Sequence, residues 1–179
     1  MLGESVAESG GDEIGLLVSA GADGVALWEA GDDSPHWRLD PHAGSPVTAL
    51  RWTGQAHVLA SGARDGSIAL TGRQGERSDT LRAAAVAQPD HAAVLSLAWS
   101  PASRYLAAGS ADASVRIFDM TTQKQALQLR GHRAAVGALA WNGNEVHVAS
   151  ASAAGDILVH RVQGTVAVIC RAATASGAA

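Results

Sequence analysis

Two short patterns recur along this chain at one common spacing, and that recurrence limits the fold more than any other feature. Four segments align: residues 19–28 (SAGADGVALW), 61–71 (SGARDGSIALT), 109–119 (GSADASVRIFD) and 150–160 (SASAAGDILVH). Each has small residues, a turn, and alternating apolar residues that lead to one larger position, at 28, 71, 118 and 160. A second pattern, V-x-x-L-x-W, ends at Trp52, Trp99 and Trp141, and a histidine precedes each: His42, His91 and His132. The spacings of the end positions and of these tryptophans run from 42 to 47 residues, the period of a repeat array.

The local chemistry is that of strands. The alternation has period two and uses β-branched and aromatic residues. Asp23-Gly24 and Asp65-Gly66 are hairpin turns, since glycine accepts positive φ and aspartate bonds its own backbone. Residues 72–82 and 121–125 read as polar connections. The Ala-rich stretch 82–88 stops at Pro89 and falls out of phase for a helix. Four short strands every ~40–45 residues make one blade of a β-propeller. The chain thus reads as all-β, with about four blades, the first of them partial.

Composition removes several alternatives. With 47% hydrophobic and 17% charged residues in 179, the chain can bury a core. It holds 38 Ala and 20 Gly but one Phe and one Tyr, so close packing has to come from tightly spaced backbones. No run nears 18 apolar residues, so no membrane insertion is expected. Residues 1–37 carry eight acids and no Lys or Arg, leaving nine acids and 13 bases in the rest. That acidic start lacks the basic segment of a secretory signal. The bases are spread singly and the pI is about 5.9, which argues against a nucleic-acid partner. A single cysteine, Cys170, excludes an internal disulfide and makes a zinc centre remote. It reads as a core thiol on the outer strand of the last blade, in a reducing, cytoplasmic compartment.

The best repeat runs from Asp90-His91 through Leu97-Ala98-Trp99, Asp112 and Val115-Arg116-Ile117-Phe118-Asp119 to Gly131-His132. This resembles the WD-repeat (WD40) family, with Asp-His and Phe-Asp standing for Gly-His and Trp-Asp. The likeness covers residues ~14–171. It implies repeats over 14–39, 40–82, 83–130 and 131–171, between a disordered start (1–13) and a disordered tail (172–179). The Trp-Asp position drifts to Trp28-Glu29, Thr71-Gly72 and His160-Arg161, and the last repeat has Ala154-Gly155 at its turn instead of an acid. Blades two and four are therefore expected to be less rigid. Asp156→Ala is expected to cost less stability than Asp112→Ala. Since a full ring of the family has about seven blades, four imply an incomplete or open ring, able to self-associate through its blade edges.

The order of features also resembles the N-terminal propeller of the WD-repeat proteins that recruit the γ-tubulin ring complex. The first repeat opens directly at a hairpin that is one residue short after its turn. The second begins Asp40-Pro41-His42, and its later hairpin ends at Thr71 without an aromatic. The resemblance implies a non-catalytic scaffold at centrosomes and spindles, with centrosomal or γ-tubulin-complex proteins as partners. In those proteins a C-terminal helical part contacts γ-tubulin, and residues 175–179 show none of it. This segment is therefore expected to target a protein partner without binding γ-tubulin itself. The alternative is a WD40 adaptor of another complex, in ubiquitin ligation, trafficking or signalling.

The candidate residues divide by role. In the WD pattern the histidine bonds a Ser or Thr and the turn Asp of its own blade. That assigns His42 with Asp65, His91 with Asp112, and His132 to structural networks, with Asp23 the turn acid of the first hairpin. Residues that recur with a repeat do not converge on one site, so no catalytic, cofactor or metal set is expected. No G-x-S-x-G elbow, P-loop or G-x-G-x-x-G motif supports another reading. Arg64, Asp90, Arg104 and Arg133 lie at turns and loops, where a propeller presents partner contacts. Trp37 is off-pattern and is the one aromatic expected to be exposed for a partner.

Overall fold

The computed structural model describes residues 5–6, 16–29, 31–54, 57–75, 77–82, 93–162 and 168–173. All secondary structure among them is β, so no helix there is long and apolar enough to cross a membrane. The strands form four antiparallel four-stranded sheets, each built from consecutive strands. This is the blade unit that the repeat period predicts.

The chain divides into two compact units, Met1–Val94 and Leu95–Ala179. In the first unit, one sheet holds β1 (Ser5–Val6), β2 (Leu16–Gly21), β3 (Gly24–Glu29) and β4 (Trp37–Leu39). Its neighbour in sequence holds β5 (Val47–Trp52), β6 (Val58–Ala63), β7 (Ser67–Gly72) and β8 (Arg77–Arg82). Val18, Val25, Leu27 and Leu59 form the buried cluster, with Trp37, Leu50 and Trp52 packed on it.

The second unit contains β10 (Tyr105–Ser110), β11 (Val115–Asp119) and β12 (Lys124–Leu129), paired with β9 (Val94–Trp99), which begins at the division. Its other sheet is β13 (Val136–Trp141), β14 (His147–Ser152), β15 (Asp156–Arg161) and β16 (Val168–Ala173). Ala107, Ile117, Leu129, Val136 and Val148 lie in its core. The Trp141 ring stacks on Tyr105 at 6.0 Å, and its indole N–H donates to the Ala98 carbonyl at 3.0 Å. Small residues make this packing possible. A Cβ on Gly109 would run into Ser96 Oγ and the Val136 backbone, so only glycine lets those strands come so close.

Strand register makes the repeats comparable atom by atom. Ser19 faces Ala26, Ser61 faces Ala69, Ala108 faces Arg116 and Ser150 faces Leu158. Two residues further along each third strand stand Trp28, Thr71, Phe118 and His160. The third-to-fourth pairing shifts register immediately before Thr71, Phe118 and His160. The last three sheets thus share a bulge as well as a ladder.

Candidate functional site

Among the described residues, the second sheet contains the most complete polar network. His42, from the turn before β5, is 5% exposed. Its Nε2 lies 2.8 Å from Ser61 Oγ and its Nδ1 lies 2.6 Å from Ser67 Oγ. Ser67 in turn donates from its hydroxyl to Asp65 Oδ1 at 2.6 Å and from its backbone N–H to the same oxygen at 2.9 Å. A hydroxyl has one proton, and the carboxylate takes it. In the neutral ring Nδ1–H therefore donates to Ser67, and Nε2 accepts from Ser61. Histidine and turn acid are joined through a serine that the repeat pattern alone does not single out.

The fourth sheet overturns the expectation that its turn leaves it without an acid. Asp156 stands at the register position of Ser67 and does the acid's work from there. Its Oδ2 lies 3.5 Å from His132 Nδ1 and accepts from the Arg133 backbone N–H at 3.3 Å and from Ser152 Oγ at 3.2 Å. The other ring nitrogen, His132 Nε2, is 2.7 Å from Ser150 Oγ. Burial raises the Asp156 pKa, but the Arg133 amide, His132, Ser152 and the Arg133 charge outweigh it, so the net shift is downward. His160, 1% exposed, has its pKa lowered by burial and then by the nearby His132 charge.

The third sheet is built differently. Asp112 accepts from Ser114 Oγ at 2.6 Å and Ser114 N at 3.1 Å, and pairs with Arg116 at 2.5 Å. The Arg116 side chain is 1% exposed and that of Asp112 is 20% exposed. Burial pushes the Asp112 carboxyl up, and the hydrogen bonds from Arg116 and Ser114 bring it below its usual value. The expected partner His91, like Asp90, lies outside the described residues. In the first sheet Trp28 Nε1–H donates to Ser19 Oγ at 2.8 Å, and Asp23 sits exposed at the turn.

The residues expected at partner contacts are placed unequally. Arg64 is exposed beside the turn of the second sheet. Arg133 and Arg104 have side chains 69% and 56% exposed, with Arg133 Nε 3.7 Å from Asp156 and Arg104 3.6 Å from Asp119. The Arg104 guanidinium also lies 5.0 Å from the Tyr105 ring centre. Asp119 is held below the ordinary carboxylate range chiefly by the Thr121 backbone N–H. Trp37 is not exposed for a partner: it is half-buried, packs on the core of the first unit and donates to the Arg73 carbonyl at 2.9 Å. Gly75, with φ +86°, lies against its ring. Asp156 and Arg116 are the residues that the repeat pattern misses, and aligning by strand register would find both. Among the described residues, no three His, Cys, Asp or Glu side chains group to hold a metal.

Comparison with known proteins agrees with this geometry. The family model "WD domain, G-beta repeat" matches residues 33–70, 85–119 and 123–160. Protein NEDD1 of Homo sapiens is 23% identical over 149 residues, covering 82% of this chain and 22% of that protein. The anaphase-promoting complex subunit cdc20 of Dictyostelium discoideum is 41% identical over 49 residues, 27% of this chain and 10% of its own length. WD repeat-containing protein srw1 of Schizosaccharomyces pombe is 38% identical over 68 residues, 38% of this chain and 12% of its own length. The chain spans less than a quarter of the length of these curated relatives.

Proposed function

The chain belongs to the WD40 repeat family, and on that premise we propose that it is a targeting platform of the γ-tubulin-recruiting kind, acting at centrosomes or spindles. The general part is a WD40 protein-interaction platform. The observation that carries it is the fate of the polar side chains. His42, Ser61, Asp65, His132, Ser150 and Asp156 are tied to one another repeat by repeat in networks inside their own sheets, and His42, Ser61, Ser150 and Asp156 are buried there. What remains for recognition are exposed charges on hairpins and loops, Arg64 in the first unit and Arg104 and Arg133 in the second.

The finer reading rests on the order of hairpins and on the similarity to Protein NEDD1, which runs along 82% of the chain. Within it, this segment provides the targeting surface, and the γ-tubulin contact belongs to a helical part outside these residues. A tagged 1–179 chain should then reach centrosomes or spindle poles weakly or not at all and fail to co-precipitate γ-tubulin. The same segment joined to a native C-terminal extension should recover both. Robust γ-tubulin capture by residues 1–179 alone would reject this division of labour.

A second reading has its own support. The 41% identity to a protein named as an anaphase-promoting complex subunit is locally higher than the match to Protein NEDD1. Enrichment of ubiquitin-ligase subunits with the tagged chain would favour an adaptor of that kind.

A further inference from the structure

Proline follows serine at three places in this chain: Ser34-Pro35, Ser45-Pro46 and Ser100-Pro101. Proline-directed protein kinases read this dipeptide, because a proline after the target serine brings no N–H that an apolar pocket would leave unpaired. Such an enzyme also needs the serine hydroxyl in solvent and the backbone around it free to lie extended. The three sites differ in these two requirements.

Ser100 meets neither. It is 2% exposed, its N–H donates to the Tyr105 carbonyl at 2.8 Å, and its Oγ accepts from the Tyr105 N–H at 3.0 Å. Ser45 is half-buried and held on several sides. Its N–H donates to the His42 carbonyl at 3.1 Å, and its Oγ accepts from the Asp65 N–H at 3.1 Å. The Pro46 carbonyl accepts from the Arg64 N–H at 3.0 Å. Drawing out either serine breaks these bonds.

Ser34 meets both. It lies in the connection from β3 to β4, where Gly31, Asp32, Asp33, Ser34 and His36 are all exposed. The Asp32 N–H donates to the Glu29 carbonyl at 3.2 Å, and the His36 N–H to the Leu27 carbonyl at 2.7 Å. Between these two anchors, Asp33, Ser34 and Pro35 make no hydrogen bond among the described residues. Pro35 biases Ser34 toward the extended region, the shape in which a kinase takes its substrate.

We infer that Ser34 is a phosphorylation site for a proline-directed serine/threonine kinase. Ser34 Oγ attacks the γ-phosphorus of the kinase's Mg·ATP, and an Oγ–P bond forms as the bond to the β–γ bridging oxygen breaks. ADP leaves with that electron pair, and the hydroxyl proton passes to the kinase's carboxylate base. The product adds about −1.5 to −2 charges at pH 7. It adds them beside Asp32 and Asp33, within residues 1–37, which hold no Lys or Arg. This goes beyond the platform reading and does not rest on it.

The test incubates the purified full chain with a proline-directed kinase and Mg·ATP and maps phosphate by mass spectrometry. Peptides copying residues 29–39, 40–50 and 95–105 run beside it, which separates sequence preference from folding. The expected result is phosphate on peptide 29–39 and, on the folded chain, at Ser34. Ser45 and Ser100 should be modified at least tenfold more slowly in the folded chain than in their own peptides, and Ser34→Ala should leave the folded chain without phosphate. The tagged chain purified from dividing cells should carry phosphate at Ser34, lost when kinases of this class are inhibited. A peptide 29–39 that takes no phosphate, a folded chain unmodified at Ser34, equal modification of all three serines in the folded chain, or no Ser34 phosphate in cells would overturn the inference.

Discussion

His132 and Asp156 face each other inside the fourth sheet, Nδ1 to Oδ2 at 3.5 Å, although residues 153–155 of the intervening turn include no acid. The carboxylate enters from the first residue of β15 instead and also ties down the Arg133 amide and the Ser152 hydroxyl. Asp156→Ala should therefore lower the denaturation midpoint at least as much as Asp65→Ala, whose carboxylate serves the Ser67 end of its network. A near-neutral Asp156→Ala would show that His132 is held by packing alone.

The third sheet gives a sharper contrast. Asp112→Ala leaves the Arg116 guanidinium, 1% exposed, without its carboxylate. Breaking a buried pair in this way costs about 3 kcal/mol. Arg116→Met removes the buried charge itself and should cost clearly less. Urea denaturation of both variants checks this, and equal losses would count against the pairing.

Acid should weaken the protein before Asp112 and Asp156 take up protons. The unfolded His160 imidazole takes its proton near 6.5, whereas in the folded sheet burial and His132 lower its pKa. Below about 6.5 the unfolded state thus binds more protons, and stability falls as pH drops. Asp112 and Asp156, with lowered pKa values, add losses only as pH falls below about 3.8. His160→Phe, which places at this ladder position the residue found at 118, should flatten the upper part of the profile. Thermal melts between pH 7.5 and 5 measure it.

Close strand approach makes a steric prediction. Gly109→Ala forces a methyl toward Ser96 and Val136, and overpacking of that kind costs roughly 1–3 kcal/mol. Gly137 has nothing within 4 Å of a built Cβ. Gly137→Ala should then stay within about 0.5 kcal/mol of the parent protein.

These residues also mark what a sequence can reveal. The blades were legible because strand alternation and the hairpin turns repeat at one period, so each weak signal is checked several times. Asp156 is passed over because the repeat pattern places its acid in the turn, while strand register decides which side chain reaches the histidine. Arg116 is passed over because alternation marks one face of a strand as solvated, yet β11 is buried along Val115–Phe118 on both faces. Trp37 occurs once, off the repeat, and the groups that cover it, Arg73 and Gly75, lie more than 35 residues away in sequence. No local pattern contains that contact.

Affinity purification of the tagged chain from dividing cells, read by quantitative mass spectrometry, tests the platform assignment most directly. It should run beside an Arg64→Ala, Arg133→Ala double variant whose unfolding midpoint matches the parent. The account predicts enrichment of specific protein partners with the parent chain, with centrosome and spindle proteins at most weakly among them and γ-tubulin absent, and loss of those partners with the double variant. Enrichment of no protein partner at all, or of a complex unaffected by both substitutions, would contradict it.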